Sequence, residues 1–292
     1  MTQADRTAVA TVVSCVAVGI AIAWAGSQGG SRVGDLPLFA LCGMLSFGVN
    51  WLAFIPAFAQ QTERYYDLTG SLTYLSVVGV ALLVPADTDG RGFLLGGMVA
   101  VWAVRLGGFL FARIRRDGTD GRFDDLKPSL PRFLMAWTLQ ALWVFLTVSC
   151  ALAAMTTARR EPLGAIAVVG VLIWISGFTI EVAADRQKGR FRADPANRGR
   201  FIQSGLWAWS RHPNYFGEIT LWCGVAVVAV PALTGWQYAT LVSPVFVYAL
   251  LTRVSGIPLL EARATKAWGD DADYLSYRKR TPVLIPRPPR PV

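Results

Sequence analysis

Pro37 to Ala59 reads PLFALCGMLSFGVNWLAFIPAFA, a run without one charged side chain. A helix needs about 20 mostly apolar residues to cross the hydrocarbon of a bilayer, and this run is long enough. Working outward, comparable runs occupy 7–25, 68–86, 92–112, 133–155, 163–184, 214–232 and 236–256. The last two are separated by a few residues around Pro231 and Gly235 and read as a helical hairpin. The first has a single arginine ahead of it and no convincing cleavage site behind it, so it reads as a span and not as a signal peptide. Composition agrees: 53% of the 292 residues are apolar and 16% charged, against about a quarter charged in a soluble domain. A disordered chain, a coiled coil and a soluble globule are excluded. The expectation is an all-α fold, a polytopic integral membrane helical bundle.

The net charge of +9 is unevenly placed. Segments 113–132, 185–212 and 257–292 hold 20 of the 28 Lys and Arg residues, and they fall on one side if the spans alternate. The positive-inside rule puts these segments and the C-terminus in the cytoplasm. It also accounts for the basic balance without nucleic acid. Cys15, Cys42, Cys150 and Cys223 all lie in apolar runs without CxxC spacing, and His212 is the one histidine. Neither a disulfide framework nor a multi-histidine metal centre is expected. The Pro-rich end, Pro286 to Pro291, reads as a frayed tail.

Four segments carry chemistry. Gly205-Leu-Trp-Ala-Trp-Ser-Arg-His-Pro-Asn-Tyr-Phe-Gly-Glu218 opens a span, with Pro213 suited to a first helical turn. Glu218 lies one turn beyond Asn214, on the same face. Ionisable groups at such depth point to function, whereas Trp, Tyr, Arg and His alone could form an interfacial belt. Asp185-Arg-Gln-Lys-Gly-Arg-Phe-Arg192, with Arg198 and Arg200 following, can hold phosphate or anionic lipid. Arg105 sits more than two turns inside its span, and Gly107-Gly108 beside it allow close approach of a helix or ligand. Glu63, Tyr65, Tyr66 and Asp67 place carboxyls and phenols near the membrane surface. The tail, Trp268 to Pro286, reads as a short amphipathic helix and a basic–aromatic clamp. There is no GxGxxG and no P-loop.

These residues resemble a known family. The Gly-Leu-Trp…Ser-Arg-His-Pro-Asn-Tyr-Phe-Gly-Glu stretch, the tail Tyr-x-x-Tyr-Arg-Lys-Arg-Thr-Pro-x-Leu-Ile-Pro, the Asp185–Arg192 spacing and the Arg105 segment are similar to the steroid 5α-reductase family, from about residue 40 to 286. The likeness is to its bacterial branch. The Arg-His-Pro signature is shared with sterol C14- and C7-reductases and isoprenylcysteine carboxyl methyltransferases. The resemblance implies a seven-span reductase core, with 7–25 as an added N-terminal span, and NADPH held in a cavity open to the cytoplasm. It divides the chain into an N-terminal span and connection (1–36), a transmembrane core (37–256) and a cytoplasmic helix and tail (257–292) that completes the cofactor site. Arg105, Arg115, Asp185, Arg192, Arg200, Asn214 and Glu218 fall at cofactor contacts. Arg211, His212, Tyr215, Glu261, Tyr274, Tyr277 and Lys279 join them from the same motifs. Glu63 falls near the family's substrate-polarising acid. Trp102 stands where the family has its catalytic tyrosine, Glu181 where it has an asparagine, and Leu260-Glu261 at its late histidine.

The implied reaction is NADPH-dependent reduction of a conjugated C=C in a lipophilic enone drawn from the bilayer. Protonated Glu63, helped by Trp102 or Tyr66, would donate to the carbonyl oxygen as charge develops there. A methyltransferase using S-adenosylmethionine is the rival enzyme, and a non-catalytic lipid- or sterol-binding protein is the third reading. The abundance of cytoplasmic arginine favours a phosphorylated cofactor. Residence in a bacterial inner membrane, contact with membrane lipids, a monomer, no nucleic acid and no metal complete the expectation.

Overall fold

The computed structural model describes residues 1–85, 87–117, 121 and 123–289, with 111–117 as helix backbone. Among the described residues eight helices are long and apolar enough to cross a membrane. They are α1 (Gln3–Gly26), α2 (Leu38–Ala59), α3 (Tyr66–Leu83), α4 (Gly90–Asp117), α5 (Leu130–Thr156), α6 (Ala165–Ala193), α7 (Pro213–Ala229) and a composite eighth, Gly235–Trp268. In the eighth, a 3₁₀ stretch (Gly235–Leu241), α8 (Val242–Ala249), a π turn (Leu250–Val254) and α9 (Ile257–Trp268) follow one another, so the plain helix expected at 236–256 is interrupted. A short helix, α10 (Ala272–Arg280), and an extended tail complete the chain, and a two-residue-per-strand hairpin pairs Arg32–Val33 with Leu36–Pro37. The chain is an all-α polytopic membrane bundle.

The chain forms two compact units, each discontinuous in sequence. One is Met1–Ala167 with Ala226–Ser243, the other Val168–Val225 with Pro244–Val292.

In the first unit α5 is the central helix, with 89% of its most apolar window buried, and α1, α2, α3 and α4 contact it. Thr2 caps α1 through a capping box with Asp5, satisfying two orphan N–H groups. Asp5 also accepts from Ser129 at 2.8 Å and pairs with Arg132 at 3.2 Å, tying α1 to the start of α5. Buried polar side chains find partners between helices. Gln140 Nε2 donates to Asn50 Oδ1 at 3.0 Å and to the Tyr66 carbonyl at 2.9 Å, Asn50 Nδ2 donates to the Ser46 carbonyl and Thr73 Oγ1, and Ser46 Oγ donates to the Ala141 carbonyl. Without water to serve them, such groups must be paired internally, and here they join α2, α3 and α5. Arg91 is buried at 2% exposure without a carboxylate: its guanidinium donates to the carbonyls of Glu161, Pro162 and Val228. It holds the turn after α5 to the end of α7.

In the second unit α6 and α7 approach to backbone contact. A Cβ on Gly217 would lie 2.6 Å from the Glu181 amide nitrogen and the Gly177 carbonyl oxygen, and one on Gly177 2.4 Å from the Leu221 nitrogen. Only glycine permits this distance. Helix α6 runs to Ala193, past the apolar stretch ending near 184, so Asp185, Lys188 and Arg192 continue one helical face. The tail is held rather than frayed through Arg287. The Arg211 amide donates to the Pro282 carbonyl, Ser210 Oγ to the Leu284 carbonyl and the Arg287 amide to the Trp209 carbonyl.

Candidate functional site

The Arg-His-Pro segment is built by its neighbours. Gly205 adopts φ +60°, and a Cβ there would lie 2.6 Å from Gln187 Oε1, which accepts instead from the Leu206 amide at 2.9 Å. The short 3₁₀ turn that follows, Gly205–Ala208, drives Trp207 inward. Its indole donates to the Ala184 carbonyl at 3.1 Å, and its own carbonyl accepts from the buried Tyr277 hydroxyl at 2.8 Å. Ser210 is likewise fixed by the tail, and its hydroxyl accepts from the His212 amide at 3.1 Å.

Glu261, on α9, then receives both motif side chains. His212 Nε2 lies 2.8 Å from Glu261 Oε1, and Arg211 pairs with Glu261 Oε2. Burial holds His212 below the ordinary histidine range, although the Glu261 carboxylate opposes this. The neutral ring therefore donates from Nε2 to the carboxylate, stacked on Tyr215 at 5.7 Å between centroids. Burial raises the Tyr274 and Tyr277 phenols, so both stay protonated. On the α6–α7 face, Asn214 Nδ2 donates to Asp185 Oδ1 at 3.2 Å.

Beside this cluster lies a cavity of about 360 Å³. Five cations line it (Lys188, Arg192, Arg200, Arg211 and Arg263) with one carboxylate, Glu261. That carboxylate is committed to Arg211 and His212. Lys188, Arg200 and Arg263 make no ion pair and no side-chain hydrogen bond among the described residues. The Lys188 ammonium rests 4.4 Å from the Trp207 ring centroid, a cation–π contact that leaves its N–H donors unused. Phe191, Phe201, Trp207, Trp268, Tyr274 and Tyr277 supply flat walls. Unpaired cations around a hollow favour an anion, and aromatic faces favour a planar ring.

Of the cofactor residues expected from sequence, Arg192, Arg200, Arg211, His212, Glu261, Tyr274 and Tyr277 line this cavity. Tyr215 does not line it but stacks on His212, which does; Asp185 and Asn214 pair with each other outside its lining, and Glu218 follows Asn214 by one turn of α7. Lys279 is exposed and does not line it. Arg105 belongs to the first unit, half-buried with its guanidinium 5.6 Å from the Phe109 ring centroid. Gly107, beside it, faces Ser71 of α3, where a Cβ would meet Oγ at 2.6 Å. The side chain of Arg115 lies outside the described residues. The sequence reading did not name Lys188, Arg263, or the walls Phe191, Phe201, Trp207 and Trp268 as site residues. Lys188 alone carried a signal, being three residues after Asp185 and four before Arg192 on one helix face.

Glu63, Tyr66 and Trp102 belong to the first unit. Glu63 is 5% exposed, and its Oε2 accepts from Lys127 Nζ at 2.8 Å. This ammonium is a partner for Glu63 that the sequence did not show. The same hydrogen bond raises Lys127. The Tyr66 hydroxyl donates to the Ala136 carbonyl at 2.9 Å, and its ring packs on Phe123 and Trp137. Trp102 is 2% exposed and meets the Tyr74 ring edge-on, 5.1 Å between centroids.

With this geometry in hand, the class is that of a helical membrane protein with a cationic, aromatic cavity beside an Arg-His-Pro segment. The chain belongs to the family described as "Protein of unknown function (DUF1295)", which matches residues 53–281 and is the steroid 5α-reductase-like family. It is 26% identical over 119 residues to 3-oxo-5-alpha-steroid 4-dehydrogenase 1 of Bos taurus, covering 40% of either chain. It is 23% identical over 200 residues to a Schizosaccharomyces pombe protein described as uncharacterized, covering 56% of this chain and 57% of that one. The matches thus span less than two thirds of these relatives' lengths. No solved structure matches the chain.

Proposed function

We propose that this protein is an NADPH-dependent reductase of a conjugated C=C bond in a lipophilic enone, working in a bacterial inner membrane with its C-terminus in the cytoplasm. The observation that carries the reading is the trio Lys188, Arg200 and Arg263, which form no ion pair among the described residues and line a cavity with aromatic walls. A dinucleotide phosphate offers both phosphate and flat rings. S-adenosylmethionine has no phosphate and brings a positive sulfonium, which these cations would repel. The likeness to the bovine steroid dehydrogenase supports the reaction class.

Lys188, Arg192, Arg200 and Arg263 would hold phosphate, by hydrogen bonds that are charge-assisted and, for arginine, often bidentate. Trp207, Tyr274 and Tyr277 would give a ring its stacking surface. Bound there, the reduced nicotinamide would supply hydride to the β-carbon of the enone. The chain's remaining tasks are to orient the apolar substrate, exclude water, and meet the negative charge that develops on the carbonyl oxygen.

The test is a parallel titration of detergent-purified protein with NADPH and S-adenosylmethionine. Selective NADPH binding, weakened in Arg192→Ala, is expected. Selective S-adenosylmethionine binding would overturn the reductase reading in favour of a methyltransferase, and binding of neither would leave a lipid- or sterol-binding protein.

A further inference from the structure

The pairing of Glu63 with Lys127 changes which group can meet the substrate. Lys127 Nζ lies 2.8 Å from Glu63 Oε2 and 3.0 Å from Asp124 Oδ1. An ammonium carries three N–H donors. Two are engaged, and among the described residues Lys127 makes no further side-chain hydrogen bond or ion pair. Among those residues the third donor has no partner, on a side chain that is 16% exposed. Its backbone is firmly held. The Lys127 and Leu126 amides both donate to the Phe123 carbonyl at 2.9 Å, and Phe123 is buried against Tyr66 at 4.8 Å and Phe133 at 6.3 Å. Phe123 and Leu126, which flank this turn, belong to a cluster of apolar side chains that includes Phe54, Phe133 and Trp137.

We infer that Lys127 receives the carbonyl oxygen of the lipophilic substrate, with Glu63 and Asp124 as the positioning residues that aim it. The local charge argues for a neutral ligand. Glu63, 5% exposed, and Asp124, 65% exposed and screened by water, both pair with the ammonium. A phosphate gains little from a cation already neutralised, whereas a ketone needs only one hydrogen-bond donor and an apolar surface. The same donor strengthens as negative charge grows on the oxygen, which is the requirement for catalysis by differential binding. No covalent bond to Lys127 forms or breaks. The inference rests on the reductase reading for the substrate's chemistry but names a residue that the reading does not.

The experiment measures ligand binding without cofactor, in protein reconstituted into lipid nanodiscs. The probes are androst-4-en-3-one and androst-4-ene, which differ in the carbonyl oxygen. The wild type is expected to prefer the ketone by about tenfold, the worth of one hydrogen bond to a charged group. Lys127→Met should abolish the preference, Lys127→Arg should keep part of it, and Asp124→Asn should reduce it while leaving the buried pair in place. NADPH affinity should be unchanged in all three variants. An unaltered preference in Lys127→Met, or no preference in the wild type, overturns the assignment of Lys127. Failure of the wild type to bind NADPH overturns the reductase reading and is read in a separate titration. If Lys127→Met does not fold, the Arg and Asn variants decide, since a preference undiminished in both removes Lys127 from the site.

Discussion

His212 and Glu261 are separated by 49 residues of sequence, yet Nε2 of the one lies 2.8 Å from Oε1 of the other. The carboxylate's second oxygen takes Arg211. One acid on α9 thereby locks two adjacent side chains of the Arg-His-Pro segment. Removing it strands a guanidinium that is largely buried. Glu261→Gln is expected to lower stability by about 2–3 kcal/mol, the scale of breaking a partly buried charge pair, read as a fall in melting temperature in detergent.

The same pair sets a pH dependence. Burial depresses His212, while Glu261 acts against it and Lys188 and Arg211 add to the depression. Because the folded value lies below the unfolded one, the unfolded chain binds the proton first. Stability is unaffected by His212 above about pH 6.5 and is lost as pH falls from there to the depressed folded value. His212→Asn should flatten that part of the melting-temperature profile. An unchanged slope would show that His212 does not contribute to it.

The cavity's cations make a graded prediction. Lys188→Met and Arg263→Ala should each weaken NADPH binding about tenfold, the loss of one charge-assisted contact. The losses should shrink as salt is raised. Lys279→Ala, at an exposed position away from the cavity, should leave the affinity within a factor of about two. Isothermal titration of the three variants separates cavity from surface charge.

Backbone contact between α6 and α7 is a condition for the Asn214–Asp185 hydrogen bond. Gly217→Val introduces atoms where a Cβ alone would stand 2.6 Å from backbone of α6. The helices must part, at about 2–3 kcal/mol. Reduced NADPH affinity together with lowered stability is the expected result, and stability lost with affinity intact would separate the packing from the site.

Arg91 offers a test within the first unit. Arg91→Met removes the donor from the buried Val228 carbonyl and from the part-buried carbonyls of Glu161 and Pro162. A loss of about 3 kcal/mol is expected, with NADPH affinity in the surviving folded fraction unchanged.

The spans were legible because hydrocarbon imposes a local rule. A crossing helix must satisfy its backbone within itself and show apolar side chains along about 20 residues, so Pro37–Ala59 and its counterparts announce themselves one at a time. The Arg-His-Pro segment was legible too, because ionisable residues at the start of a span are rare. Assembly was not. Hydropathy did not show that α6 continues as helix through Arg192, since its last turns are charged, nor that the tail through Arg287 is pinned by Trp209 and Ser210. The acid that receives His212 and Arg211 comes from α9, and the ammonium that pairs with Glu63 comes from the segment before α5. Both pairings follow from side chains brought within hydrogen-bond distance by packing, a short-range interaction that carries no periodic signature along the chain. The sequence by itself determined a polytopic helical membrane protein and the segments in which its charges cluster. The tertiary structure alone decided which charges of the described residues pair with one another and which line a cavity, because that depends on distances of about 3 Å between residues far apart in the chain.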